Sequence, residues 1–264
     1  MPTSGRCVRL LLGVLLAFAA CATDRTVTVL SYNIHHGEGT DGVFDLPRLA
    51  RVITDSGADL VALQEVDVGT RRAGGVDQAA ELARLTGMQV VFGQAIAYQG
   101  GAYGDAILSR LPIRAPITWP LPAAPDHEQR VVAGALVELP DGTVVRFLGT
   151  HLDHTRDPAD RVAQARALLA LAFGPDELAP PTLLLGDLNA EPDSEPLRLL
   201  GTRFASAAPQ GLPSFPSDAP AVAIDWVLFS PPGDWQVVEV GTLHAPAASD
   251  HAPLRAVLRL LPSR

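Results

Sequence analysis

Residues 182–191, TLLLGDLNAE, constrain this chain more than any other stretch. Leu183, Leu184 and Leu185 form an apolar run that reads as a buried strand, and the run stops abruptly at Gly186-Asp187-Leu188-Asn189. Glycine lets the chain turn where a bulkier residue would be strained. A carboxylate and an amide, two residues apart, then leave the strand's carboxyl end. Asp and Asn are ordinary turn residues, so one such tip says little by itself. The weight comes from repetition along the sequence.

Residues 27–32 alternate in the β manner and end in Asn33-Ile34-His35-His36-Gly37. The apolar run 59–63 ends in Gln64-Glu65-Val66-Asp67. Residues 131–139 and 143–148 predict a hairpin across Pro140-Asp141-Gly142, and its second arm runs into Thr150-His151-Leu152-Asp153-His154. Further strands are expected at 89–92, 105–110, 224–229 and 236–240, with a last element from Ser249 to Leu260. Helical spacing occurs at 46–53, stopped near Gly57, at 78–85, closed by Gly87, and near 194–200. The clearest helix takes Asp157 as N-cap and Pro158 as its first residue, and runs to about Phe173. Residues 100–104 read as a flexible loop, and 112–125 and 209–220 as Pro-rich connections. Strands outnumber helices and the two alternate irregularly. The expected fold is therefore α/β, with mixed sheets and helices on their outer faces.

The N-terminus is expected to lie outside that fold. Arg6 and Arg9 precede an apolar segment, 10–20, that suits a signal peptide and is too short for a membrane span. Ala19-Ala20-Cys21 resembles a bacterial lipobox, with Phe18 where Leu is commoner. The expectation is a signal peptide over 1–20 and a single domain over 21–264, tethered through lipidated Cys21 to the outer face of the inner membrane or in the outer membrane. Ordinary secretion, after the A-x-A of Ala20-Cys21-Ala22, is the alternative. Cleavage before Cys21 removes Cys7, so the mature chain has one cysteine and no internal disulfide. It also leaves 18 basic residues against 29 acidic ones. Such a balance repels polyanions and argues against a dedicated duplex-DNA-binding surface, while leaving open a phosphate met locally at a metal ion. All 20 basic residues are arginine, which excludes Schiff-base chemistry and a Walker-type phosphate loop. A monomer is expected.

Asn33, Glu65, His151, Asp187, Asn189, Asp225, Asp250 and His251 collect at the strand ends, where ligand sites of α/β proteins gather. Glu65 and Asp250, with an amide nearby, suit Mg2+, Mn2+ or Ca2+ better than a soft metal. Hard metal, carboxylate base and imidazole together are what a phosphoester hydrolase needs.

The ordered set SYNIHHG, LQEVD, GDAILSR, THLDH, GDLNAE, IDWVLFS and SDHAPL resembles the endonuclease/exonuclease/phosphatase superfamily, the DNase-I-like fold, over residues 27–260. The resemblance implies a four-layer α/β sandwich, two mixed sheets face to face with helices outside. It implies Glu65 as principal metal ligand supported by Asn33, with Asp250 on the metal side. Asp187 would position and deprotonate the attacking water, and Asn189 would hold that residue and the phosphate. His251 would lie beside the scissile phosphate, oriented by Asp225. His151 matches the second histidine of the nuclease-like and sphingomyelinase-like branches, and Tyr103 and Arg130 are phosphate-contact candidates. Water would attack phosphorus in line, in a nucleic acid or in a lipid or small-molecule phosphodiester.

Bland readings stand beside these. Singly, Asp187 and Asp225 are equally turn formers. His35, His36 and His154 read as supporting or solvated, Asp67 and Asp153 as structural, and Asp105 has no assigned role. A zinc hydrolase of metallo-β-lactamase type is suggested by His151-Leu152-Asp153-His154, but needs histidine where Gly149 stands. A non-catalytic, lipid-tethered binding module would not need Glu65, Asp187, Asn189 and His251 together. No G-x-S-x-G supports a serine hydrolase.

Overall fold

Strand β1 (Thr26–Asn33) is buried on both faces and paired on both edges. The structure, a computed structural model, describes Met1 and residues 25–174 and 179–262. The signal segment (Met1 apart) and Cys21 lie outside the described residues. No helix among the described residues is long and apolar enough to cross a membrane. After β1 come α1 (Leu46–Asp55), β2 (Leu60–Val68), α2 (Gln78–Thr86), β3 (Gln89–Tyr98), β4 (Gly101–Ser109) and β5 (Ile113–Pro120). The second half holds β6 (Val131–Glu138), β7 (Val144–His151), α3 (Ala159–Phe173), β8 (Thr182–Asp187), α4 (Glu195–Leu200), β9 (Ala205–Ser206), β10 (Asp225–Ser230), β11 (Trp235–Thr242) and β12 (Leu254–Leu260).

These strands form two six-stranded sheets, ordered β11-β12-β1-β2-β4-β3 and β5-β6-β7-β8-β10-β9. Each is mixed, with one parallel pair at its centre, β1–β2 in the first and β7–β8 in the second. The sheets face each other through Val29, Ala62, Ile107, Phe147, Leu185 and Val227. Alternate residues of the same strands point outward. Leu30, Leu63 and Leu108 meet Leu49 and Ile53 of α1 and Leu82 of α2. Leu148, Leu184 and Leu228 meet Ala165 and Leu168 of α3 and Leu200 of α4. The result is the expected four-layer sandwich. Burial on both faces explains why β8 reads as continuous leucine rather than as an alternation.

Local chemistry sets the helix ends. Asp45 and Asp77 accept from the amides of Arg48 and Ala80, each at 2.9 Å, and Gly87 closes α2 in the left-handed conformation. Helix α3 begins one residue later than expected, with Pro158 as N-cap. Asp157 still contributes, accepting from the Ala159 amide at 3.0 Å.

Two connections prove to be strands. Residues 112–125 contain β5, where Pro116 and Pro120 are tolerated because β5 is a sheet edge. Residues 101–104 open β4 rather than a loop, because both neighbouring strands are bulged there and small residues admit their backbones. Gly149 faces the inter-sheet core, where a Cβ would sit 3.0 Å from that of Ala62 and 3.2 Å from Ile107. No histidine fits at that position, which removes the metallo-β-lactamase reading on steric grounds. Phe147, fully buried between the sheets, sets a scale for the core. Phe147→Ala is expected to lower unfolding free energy by about 3–5 kcal/mol in denaturant titrations. A loss below ~1 kcal/mol would contradict a packed inter-sheet layer.

Candidate active site

The carboxyl ends of the two parallel pairs emerge at the same edge of the sandwich. Asn33 closes β1, beside Gln64 of β2, while His151 closes β7 directly beside Asp187 of β8. A Cβ on Gly186 would run into the Thr150 carbonyl oxygen, so glycine there serves a close approach of β7 and β8 within the strand, not a turn. Asp225, the first residue of β10, lies opposite Asp187 in antiparallel register. Glu65 was expected at a strand end, but β2 continues past it to Val68. The residue sits at an irregularity between Leu63 and Val66 with φ of 60°. A bulge re-aims one side chain, and this left-handed conformation costs a non-glycine residue about 1–2 kcal/mol.

The side chains close into one network. Asn33 Nδ2 donates to Glu65 Oε1 at 3.0 Å and to Asp187 Oδ2 at 3.2 Å, tying the two sheets together. Asn33 Oδ1 accepts from the His35 amide, so in this arrangement the nitrogen, not the oxygen, faces the carboxylates. Asp187 Oδ1 accepts from the Asn189 amide at 2.9 Å. Asn189 Nδ2 donates to the Leu152 carbonyl at 3.1 Å and lies 2.9 Å from His151 Nε2, which therefore accepts. His151 Nδ1 is left as the proton-bearing nitrogen, buried and without a partner among the described residues. His251 Nδ1 donates to Asp225 Oδ2 at 2.9 Å, and its Nε2 is 3.7 Å from Asp187 Oδ2. All of these but Glu65 and Asn189 are buried.

Asp250 is half-buried and adjoins this network through Ser249 Oγ, 3.4 Å from Asp250 Oδ1 and donating to the Asn33 carbonyl at 2.7 Å. Tyr103 and Arg130 lie on the β4 and β6 side, both buried; Arg130 lowers the Asp105 carboxyl, and burial, then Glu65, raise the Tyr103 phenol. Arg130 is engaged by Glu128 at 3.0 Å and by His154 Nδ1 at 3.0 Å.

Burial dominates the electrostatics. It pushes Asp187 above the usual carboxylate range, and the neighbouring Asp225 adds to this. His251, the Asn189 amide and Asn33 offset only part. Burial would also lower His251, but Asp225, through charge and hydrogen bond, more than reverses it and raises the imidazole to about 10. His151 goes the other way, held well below its ordinary value by burial and then by Arg130. Burial raises Glu65 too, yet His36, His151 and Asn33 outweigh it and bring the carboxyl below its ordinary value. The site thus pairs a cationic imidazole with a neutral one, around more carboxylate than they neutralise.

Those donors fit a hard divalent cation. Glu65 Oε2 has His36 Nδ1 no nearer than 4.0 Å, and that buried nitrogen is itself unpartnered, as is Asp225 Oδ1. Asp187, Asp225 and His251 also offer ligand atoms within 4.8 Å of one another, but the protonated His251 between the two carboxylates fills that triangle.

A profile of the Endonuclease/Exonuclease/phosphatase family matches residues 30–251. The chain belongs to this family. Among solved structures, the endonuclease/exonuclease/phosphatase of Beutenbergia cavernae DSM 12333 is 25% identical, covers 90% of this chain and 72% of its own, and has a TM-score of 0.73. The human Nocturnin catalytic domain with bound sulfate is 19% identical over 90% and 95% of the two chains, TM-score 0.71. A mannosyl-6-phosphatase of Bacteroides thetaiotaomicron VPI-5482 is 18% identical over 88% and 99%, TM-score 0.66. Members of the endonuclease/exonuclease/phosphatase family are usually hydrolases and commonly use divalent metals.

For this family member, sequence reasoning missed the braces. Ser214 Oγ donates to Asp225 Oδ2 at 2.6 Å, and Phe215 stacks obliquely on His251 at 4.9 Å. Both come from the Pro-rich loop 209–220, which also binds 249–252 through Ser217 to Asp250 and Ala252 to Ser214. Asp105, buried and raised to about 8 chiefly by burial, accepts from the His151 amide at 3.1 Å. Only its place in GDAILSR could have signalled it.

The His251–Asp225 pair has a defined pH signature. Because the folded pKa of His251 is raised, its contribution to stability is fully present below the unfolded value of ~6.5 and is lost as pH rises through about 10. Asp225→Asn should move the His251 titration, followed by NMR, clearly downward from about 10, since burial is then opposed only by the weaker pull of Asp187 and Asp250. An unchanged midpoint would show that Asp225 does not set it.

Proposed function

We propose that this protein is a divalent-metal-dependent phosphodiester hydrolase in which Asp187 orients and deprotonates the attacking water. The observation that carries the reading is the position of Asp187 Oδ2, within 3.2 Å of Asn33 Nδ2, 3.4 Å of His151 Nε2 and 3.7 Å of His251 Nε2. A carboxylate raised by burial is a stronger base than a solvated one, and it lies where two imidazoles can flank a phosphoryl group.

Glu65 and Asp250, with Asn33 alongside, would hold a cation, which would supply charge neutralisation on the phosphoryl oxygens. The chain's own residues do the rest. Asn189 fixes the Asp187 carboxylate through its amide and His151 through its side chain. His151, whose Nε2 lies 3.4 Å from Asp187 Oδ2, flanks the same carboxylate, and cationic His251, locked by Asp225, stabilises the charge that develops as water attacks in line. Tyr103 and Arg130 are read as contacts to the phosphate's far side.

The net charge of −9, more negative after removal of the leader, favours a small phosphodiester or a lipid headgroup over duplex DNA. The sugar-phosphate named for the Bacteroides phosphatase agrees with a small substrate. Export, tethering through Cys21 and action as a monomer belong to the same proposal.

The test is hydrolysis of bis-p-nitrophenyl phosphate by the purified mature chain with Mg2+ or Mn2+. Chelation should abolish turnover, and Asp187→Ala should reduce kcat by at least ~100-fold. Normal turnover by that variant would remove the water-activation role, and activity indifferent to chelation would remove the metal.

A further inference from the structure

The connection from β5 to β6, the segment after β7 and the start of α3 bring together a second group of donors, apart from Glu65. His127, Asp153 and Asp160 each offer one ligand atom, and the three atoms lie within 4.8 Å of one another. His127 Nδ1 is 2.8 Å from Asp160 Oδ2, which also accepts from the Ala124 amide at 3.0 Å. An ordinary surface ion pair would account for that much.

Asp153 is the part such a pair does not explain. The residue is fully buried. Its Oδ1 accepts from the amide and the hydroxyl of Thr155 and lies 3.8 Å from Arg161 Nη1. Its Oδ2 is also buried and has no hydrogen-bond partner among the described residues. Leaving a buried carboxylate oxygen without a donor is costly, so this carboxylate, one oxygen of which lies within 4.8 Å of His127 and Asp160 ligand atoms, calls for a further positive partner. His127 is one-third exposed, which gives a path from solvent and room for water ligands.

We infer that His127, Asp153 and Asp160 form a second metal site, structural rather than catalytic, for a divalent transition cation of the Zn2+ type. One imidazole nitrogen and two carboxylate oxygens, with water completing the shell, suit zinc, whereas Mg2+ and Ca2+ prefer all-oxygen shells. Ligand atoms ~2.0–2.2 Å from zinc lie about 3.3 Å apart, so small side-chain rotations from the observed spacing close the site. The position gives the cation a task. It would clip residues 121–130 to the segment after β7, and both lead directly to the phosphoester site. Arg130 ends the first, His151 precedes the second, and Arg130 already meets His154 at 3.0 Å.

The experiment compares wild type with His127→Gln after chelator treatment, titrated with Zn2+ by calorimetry and followed by thermal melting. His127 is exposed, so the variant should melt with wild type in EDTA. Wild type should bind one more equivalent of Zn2+ than the variant. In the variant that step should weaken at least ~100-fold, since losing even an outer partner of a ligand costs 10–100-fold. The corresponding Zn2+-induced rise in Tm should disappear with it. Asp160→Asn should behave likewise. Equal Zn2+ stoichiometry and an equal rise in Tm for wild type and His127→Gln would overturn the site, leaving an ion pair. Because Glu65, Asp187 and His251 are untouched, this result is independent of the phosphoesterase reading.

Discussion

The structure depends on burying the carboxylate of Asp187 where two β-sheets meet. An isolated buried charge costs several kcal/mol, and the chain surrounds this one with every kind of offset available to it. A backbone amide comes from Asn189, an amide group from Asn33 across the sheet interface, and a protonated imidazole from His251. These do not suffice, because burial and Asp225 still hold Asp187 above the usual carboxylate range. What remains is a deficit of positive charge beside the partly exposed Glu65 and Asp250. A divalent cation would fill that deficit and leave positive charge to attract a phosphoryl group. Stability and chemistry at this site are the same electrostatic problem.

Backbone geometry is spent on the same end. Glu65 and Asn189 hold positive φ values of 60° and 45°, and His35 and His36 do so beside them. Strained conformations persist where the surroundings over-determine them. Here the surroundings are strands buried on both faces and registered by alternation, so a bulge in β2 aims Glu65 without disturbing Leu63 or Val66, both in the core. Gly186 lets β7 and β8 approach closely enough for His151 and Asp187 to stand side by side. The scaffold supplies rigidity, and the strand ends supply the donors.

Much of this was legible in the sequence for a simple reason. A strand buried on both faces is an apolar run, so the first polar residue after it marks the place where the strand leaves the core. That logic reached Asn33, His151, Asp187 and Asn189, and it reached Asp225 from the opposite direction. It failed for Glu65's conformation, because a bulge inside a strand leaves no break in hydrophobicity. It failed again for residues 101–104 and 112–120, where glycine and proline suggest loops. Those residues answer a close approach of bulged neighbours and an unpaired edge, which are properties of partner strands rather than of the segment. Ser214 and Phe215 were invisible for a related reason, since a loop that braces a site from a distance has no local pattern. The roles of the site residues came from the family resemblance, not from spacing.

The most direct test is the titration of the Asp187 carboxyl itself, followed by carbon NMR in the metal-free protein and again with saturating Mg2+. The account predicts a midpoint above the usual ~3.9 of an aspartate without metal, and a clear downward shift when the cation binds. A metal-free midpoint at or below ~3.9, unmoved by Mg2+, would contradict it.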